Sequence, residues 1–217
     1  MLAKLREPVN GLTHLAGAIA AFFGMIALLI VARGGTARVA SVLVYSLGLM
    51  AMFSASAIYH MAIVKPTVLQ ILRKIDHSAI FLLIAGTYTP FCLLAFKGFW
   101  HWGLLALIWA IAAIGIVVKV FYINSPRWLH TGIYVVMGWL CVMAAPQMPS
   151  VLPLAAMIGL FVGGVLYTLG AVVYATKILD FVPGKFGFHE VWHIFVLLGA
   201  LAHFVAILAL LLLPVAT

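Results

Sequence analysis

The chain has 217 residues, of which 67% are hydrophobic and 7% charged, with a mean hydropathy of +1.27. A soluble domain carries about 25% charged residues, so this composition excludes a water-soluble globule and a separate soluble domain, and indicates a polytopic membrane protein. The formal charge of +8 is not a nucleic-acid footprint, because the Lys and Arg residues stand singly between apolar runs, as membrane topology demands.

Seven apolar runs are long enough to span a hydrocarbon core that needs about 20 helical residues. They cover 11–32, 39–62, 75–95, 101–122, 128–145, 151–176 and 189–213. The first follows Met1-Leu-Ala-Lys-Leu-Arg6, which looks like the charged start of a signal peptide. Its apolar run is longer than the roughly 7–15 residues of such a peptide's core, so it is read as a retained span. Breaks fall at Arg33-Gly-Gly-Thr-Ala-Arg38, Lys65-Pro66 to Lys74, Phe96-Lys97-Gly98, Asn124-Ser-Pro-Arg127, Pro146-Gln-Met-Pro149 and Lys177 to Gly187, each with the Gly, Pro or charge that ends an element. The expected fold is therefore all-α, one domain over residues 1–217, a bundle of seven transmembrane helices.

Seven spans put the two termini on opposite sides. Lys4, Arg6, Lys65, Arg73, Lys74, Lys119, Arg127, Lys177 and Lys185 then share the N-terminal side, against Arg33, Arg38 and Lys97 on the other. That bias places the N-terminus in the cytoplasm. In the sixth span Gly159 and Gly163, followed by Gly164 and Gly170, allow close helix approach. Packing within the bundle is the first reading of this stripe and a homodimer through Gly159/Gly163 the second. Cys92 and Cys141 lie inside apolar runs and read as small core residues.

The seventh run opens with Phe188-His189-Glu190-Val191-Trp192-His193. Histidines four apart lie on one helix face, about 5–6 Å from each other, within reach of one metal ion. Span parity brings Ser56 and His60, at the end of span two, and Asp76, at the start of span three, to the same depth, about 5–10 Å below the cytoplasmic surface by helix rise. His60, His189 and His193 with an open fourth position make a catalytic type of Zn2+ site. Asp76 is assigned to water as general base or orienter, and Ser56 to that water or a substrate carbonyl oxygen. A bis-histidine haem would use His60 and His193 but leave Asp76 and the third histidine unexplained.

The remaining polar residues have simpler readings. His77 points about 100° from Asp76 on the helix and reads as a packing or interfacial residue. Glu190 sits in a first turn, where an acid favours the dipole, and reads as structural. Asn10 or Thr13 caps the first helix, with His14 a minor candidate for the site. His101 and His130 lie at span ends and read as interfacial, while His203 reads as hydrogen-bonded to a neighbouring helix.

On Ser56-x-x-x-His60, Asp76 and His189-x-x-x-His193, and on the opening Glu7-Pro-Val-Asn10-Gly-Leu-Thr13-His14, the whole chain resembles the hemolysin III family, the bacterial branch of the progestin and adiponectin receptor (PAQR) superfamily. The resemblance implies a seven-helix bundle in a bacterial plasma (inner) membrane. It implies zinc on His60, His189 and His193 near the cytoplasmic face, a water between the metal and Asp76, and Ser56 close by. Adiponectin receptors and alkaline ceramidases suggest hydrolysis of a membrane lipid amide, which makes a zinc-dependent hydrolase of lipid amides or esters the first functional expectation. A non-catalytic factor for membrane fluidity or energy homeostasis, or a receptor-like sensor, with structural zinc is the second. The family's name implies a pore-forming cytolysin, but no span carries a polar stripe and the composition allows no soluble form.

Overall fold

The computed structural model describes residues 5–123, 126–182 and 185–213. These form α1 (Pro8–Val31), α2 (Thr36–Met61), α3 (Pro66–Leu94), α4 (Phe99–Phe121), α5 (Arg127–Trp139), α6 (Met148–Val151), α7 (Leu154–Thr176) and α8 (Phe188–Leu211). Among the described residues there is no β-strand beyond an isolated bridge between Val182 and Phe186. Six helices, α1, α2, α3, α4, α7 and α8, are long and apolar enough to cross a membrane.

The run expected to form span five is built differently. Its α-helix, α5, has 13 residues and continues as a 3-10 turn over Leu140–Ala144. The cause is a buried side chain. The Tyr88 hydroxyl lies 2.9 Å from the carbonyl oxygen of Met137 and 2.7 Å from that of Gly138, and accepts the N–H of Cys141 at 2.8 Å. It thereby satisfies backbone groups that the change of helix type would strand away from water. The third helix starts at Pro66, earlier than the apolar run. Proline is pre-organised for a first helical position, so Arg73 and Lys74 stand on helix, in the turns below Asp76.

The helices close a ring in the order α1, α2, α3, α5, α7, α8 and back to α1, with α4 outside against α3. Glycine sets the tightest seams. A Cβ on Gly48 would stand 2.8 Å from the carbonyl oxygen of Leu82, and one on Gly86 would stand 3.1 Å from that of Val44, so α2 and α3 touch backbone to backbone. Gly159 does the same against Ala202 of α8, and Gly163 faces His203, so both glycines of that stripe serve the α7–α8 seam. Tyr45, Phe81, Leu104, Ile108, Met137 and Ile207 fill the interior, while Phe23, Ile30, Ile114 and Phe161 face outward. An apolar exterior of this kind fits hydrocarbon.

Candidate metal centre

The last turn of α2 and the first two turns of α8 meet at one end of the ring. His60 and His193 are buried there and His189 is half-buried. Their ring centroids form a nearly equilateral triangle, 5.0 Å from His60 to His189, 4.8 Å from His60 to His193 and 4.9 Å from His189 to His193. No two of these rings stack, the interplanar angles being 70°, 78° and 85°, so each can turn an edge to the common centre. One nitrogen from each lies within 4.8 Å of the other two, and the three could hold a metal ion. Nitrogens sharing an ion at about 2.1 Å in a tetrahedron stand roughly 3.4 Å apart, so the rings would need to close by no more than roughly 1.4 Å to hold one.

The surrounding groups fit such an ion. Glu7 Oε2 lies 2.5 Å from Nδ1 of His60, and the Glu7 N–H donates to the His60 carbonyl at 3.0 Å. A carboxylate on one ring nitrogen fixes the orientation and leaves the other for a metal. Arg6 completes the strap, 3.4 Å from the Glu7 carboxylate, donating to the Tyr59 carbonyl at 2.7 Å and covering the Tyr59 ring. Burial raises the pKa of Glu7, but its hydrogen bond to His60 and the nearby Arg6 guanidinium outweigh this and hold it at about 2. Glu7 is therefore ionised at neutral pH.

α8 is oriented by a second acid. Glu190 accepts the N–H of Gly187 at 2.8 Å, closing the first turn, and Nδ2 of Asn10 at 2.8 Å, tying α8 to α1. His14, one turn beyond Asn10, lies flat on His193 with centroids 3.7 Å apart at 18°. Nδ1 of His193 and both nitrogens of His14 are buried without a hydrogen-bond partner among the described residues. Orphaned imidazole nitrogen is costly unless something binds it.

Asp76 and Ser56 lie beside this cluster and are not part of it. Both are buried, the Ser56 side chain reaches the Asp76 carboxyl, and both line a cavity of about 500 Å³ that also receives His189 and His193. Along α3 the cavity wall runs from Arg73 to Phe91, a rise of about 27 Å at 1.5 Å per residue. Its far part is apolar, with Leu83, Phe91, Met157 and Leu160 among the lining.

The other histidines separate. His77 is outside the imidazole cluster, its ring 5.9 Å from that of His130. His203 meets the carbonyl of Leu160 on α7 at 3.3 Å, the neighbour-helix bond expected of it. His101 faces the Phe96 carbonyl at 3.2 Å. His130, expected at the interface, is buried, with the Lys119 ammonium of α4 against its Nδ1. Sequence reasoning missed Glu7 as the partner of His60 and underweighted His14. The available signal was that both open the first span at the depth of His60, in a chain with only four acidic residues.

Comparison with known proteins agrees with the architecture. Residues 2–204 match the family described as Haemolysin-III related. The chain is 36% identical over 210 residues to the Hemolysin-3 homolog of Bacillus subtilis (strain 168), covering 96% of this chain and 95% of that one. It is 36% identical over 204 residues to Hemolysin-3 of Bacillus cereus, covering 93% and 90%. It is 28% identical over 169 residues to the human Monocyte to macrophage differentiation factor, covering 76% of this chain and 67% of the human one. With membrane-spanning helices, a histidine triangle at one end of the bundle and matches along nearly its whole length, the chain belongs to the hemolysin III family of the PAQR superfamily.

Proposed function

We propose that the protein is a zinc-dependent hydrolase of a membrane lipid amide or ester. The observation that carries this reading is the placement of Asp76 and Ser56 beside His60, His189 and His193 at one end of a long, largely apolar cavity. His60, His189 and His193 would hold the ion, which supplies Lewis-acid activation of water near neutral pH. Asp76 accepts the proton of the attacking water. The Ser56 hydroxyl, which reaches the Asp76 carboxyl, turns its single O–H from there to the attacking water or to the substrate carbonyl oxygen as charge develops there. The apolar cavity takes the acyl chain and keeps bulk water from the reacting bond.

The topology that suits this reading has seven spans, with α5 and its 3-10 continuation crossing as the fifth, the N-terminus in the cytoplasm and the centre under the inner leaflet of a bacterial plasma membrane. Lipidomic comparison of cells with and without the protein, followed by assay of the zinc-loaded protein on the lipids that accumulate, tests the activity. Hydrolysis lost in Asp76→Asn supports it, and zinc-loaded wild type inert on every accumulated lipid contradicts it.

A second reading is structural zinc in a non-catalytic homeostasis factor or sensor, favoured by the way the histidines tie α2 to α8. It requires that loss of function track loss of bundle stability in every site variant.

A further inference from the structure

The end of the cavity that carries the histidines also carries cations that form no ion pair among the described residues. Arg73 of α3 is half-buried and Arg127, the first residue of α5, is exposed, and both line the cavity. Behind them Lys119 of α4 is only 3% exposed, its ammonium 2.5 Å from Nδ1 of His130. Arg73 is near enough to act electrostatically on Lys119 and His77, and His130 packs edge-on to His77. The group is thus continuous across α3, α4 and α5.

The chain has four acidic side chains, and among the described residues none pairs with these cations. Glu7 holds His60 and Arg6, Glu190 holds Asn10 and the Gly187 N–H, Asp76 lies against Ser56, and Asp180 is exposed on the segment before α8. Among the described residues Arg73, Lys119 and Arg127 form no ion pair. A lysine buried at the end of a membrane helix without an acid is costly, and a bound anion removes that cost. The N-terminus of α5, where the N–H groups of Leu129 and His130 already bond the Pro126 carbonyl, adds its positive dipole end to the field.

We propose that Arg73, Lys119 and Arg127, with His77 and His130, form a receptor for the phosphate of an anionic membrane lipid whose chains lie in the cavity. The two guanidinium forks on the cavity lining suit a multiply charged phosphate, and the Lys119 ammonium behind them, held against His130, adds positive charge. Placement supports the assignment. The Arg127 guanidinium lies 5.4 Å from the Phe188 ring and 5.5 Å from the Tyr174 ring, and Tyr174 in turn lies 5.4 Å from His189. A phosphate held there stands beside the histidine triangle, with the lipid's carbonyl groups directed along the cavity. The assignment rests on reading the cavity as a lipid site, and not on hydrolysis.

The test is native mass spectrometry of the full chain titrated with dioleoyl phosphatidic acid, with dioleoylglycerol of the same chains, and with inorganic phosphate. The expected result is phosphatidic acid bound about tenfold or more tighter than dioleoylglycerol, as charge-assisted hydrogen bonds imply. Arg127→Gln and Arg73→Gln should each weaken phosphatidic acid about tenfold and leave dioleoylglycerol unchanged, the unchanged dioleoylglycerol binding showing that the cavity is still folded. Equal binding of the two lipids by wild type overturns the phosphate receptor and leaves the lipid cavity standing. Binding of neither overturns both. Inorganic phosphate bound alone, and lost in the same variants, while phosphatidic acid is no better than dioleoylglycerol, assigns the group to free phosphate and overturns the lipid assignment.

Discussion

Glu7 holds Nδ1 of His60 and Arg6 holds Glu7, so the orientation of one ring of the triangle is set by the segment that precedes the first helix. Glu7→Gln keeps the shape and removes the charge. It should weaken zinc binding about 10–100-fold, the usual effect of losing a carboxylate behind a ligating imidazole, as read by competition with a chelating dye; unchanged affinity would remove Glu7 from the site. Asp76→Asn separates the two functional readings. Loss of a general base lowers the rate roughly 10²–10⁴-fold, and the account expects that loss with metal content and thermal midpoint kept. An Asp76→Asn protein whose activity falls only as its stability falls would favour structural zinc. At this scale the histidines were legible because i, i+4 spacing and span parity are properties of the chain. Glu7 was not, because nothing local shows that a loop folds back onto the end of α2. His14 was only a minor candidate for a related reason, since helix rotation decides whether it meets His193 and parity fixes only depth.

Among the elements, the helix that begins at Arg127 depends most on a single foreign atom. Tyr88→Phe strands the Cys141 N–H and removes the hydroxyl from the Gly138 carbonyl, while the Met137 carbonyl keeps the Leu140 N–H. Each unsatisfied buried group costs about 1–3 kcal/mol, so the variant should unfold several degrees lower in detergent, with the wall of the cavity loosened. An unchanged midpoint would show that the turn holds itself. The α7–α8 seam makes a similar case: Gly159→Leu drives a side chain into the Ala202 backbone and should cost about 1–3 kcal/mol as overpacking. Helix existence was readable from apolar runs broken by Gly, Pro and charge. The 3-10 continuation was not, because its cause is a hydroxyl from a helix some fifty positions away. The early start of α3 was masked by polarity, since Gln70, Arg73 and Lys74 look like loop while Pro66 starts the helix ahead of them.

Across the whole molecule, the ring of helices brings the ends of α2 and α8 together and leaves a cavity along α3 and α7 that reaches the histidines. The charge bias predicts that this end faces the cytoplasm. In a variant with Cys92 and Cys141 replaced by Ala, a new cysteine at Lys97 should react with an impermeant reagent on intact cells, and one at Lys65 should not. The reverse labelling would put the centre under the outer leaflet. The depth shared by the site residues was legible from span parity, whereas the cavity was not, because an empty volume depends on how six helices rotate against one another. The central claim is that His60, His189 and His193 share one divalent ion. Metal analysis of the detergent-purified chain tests it most directly: the account predicts about one zinc per chain, kept in Asp76→Asn and absent from a folded His60→Ala/His193→Ala double variant, and it is contradicted by wild-type protein that takes up no zinc or by a double variant that still carries it.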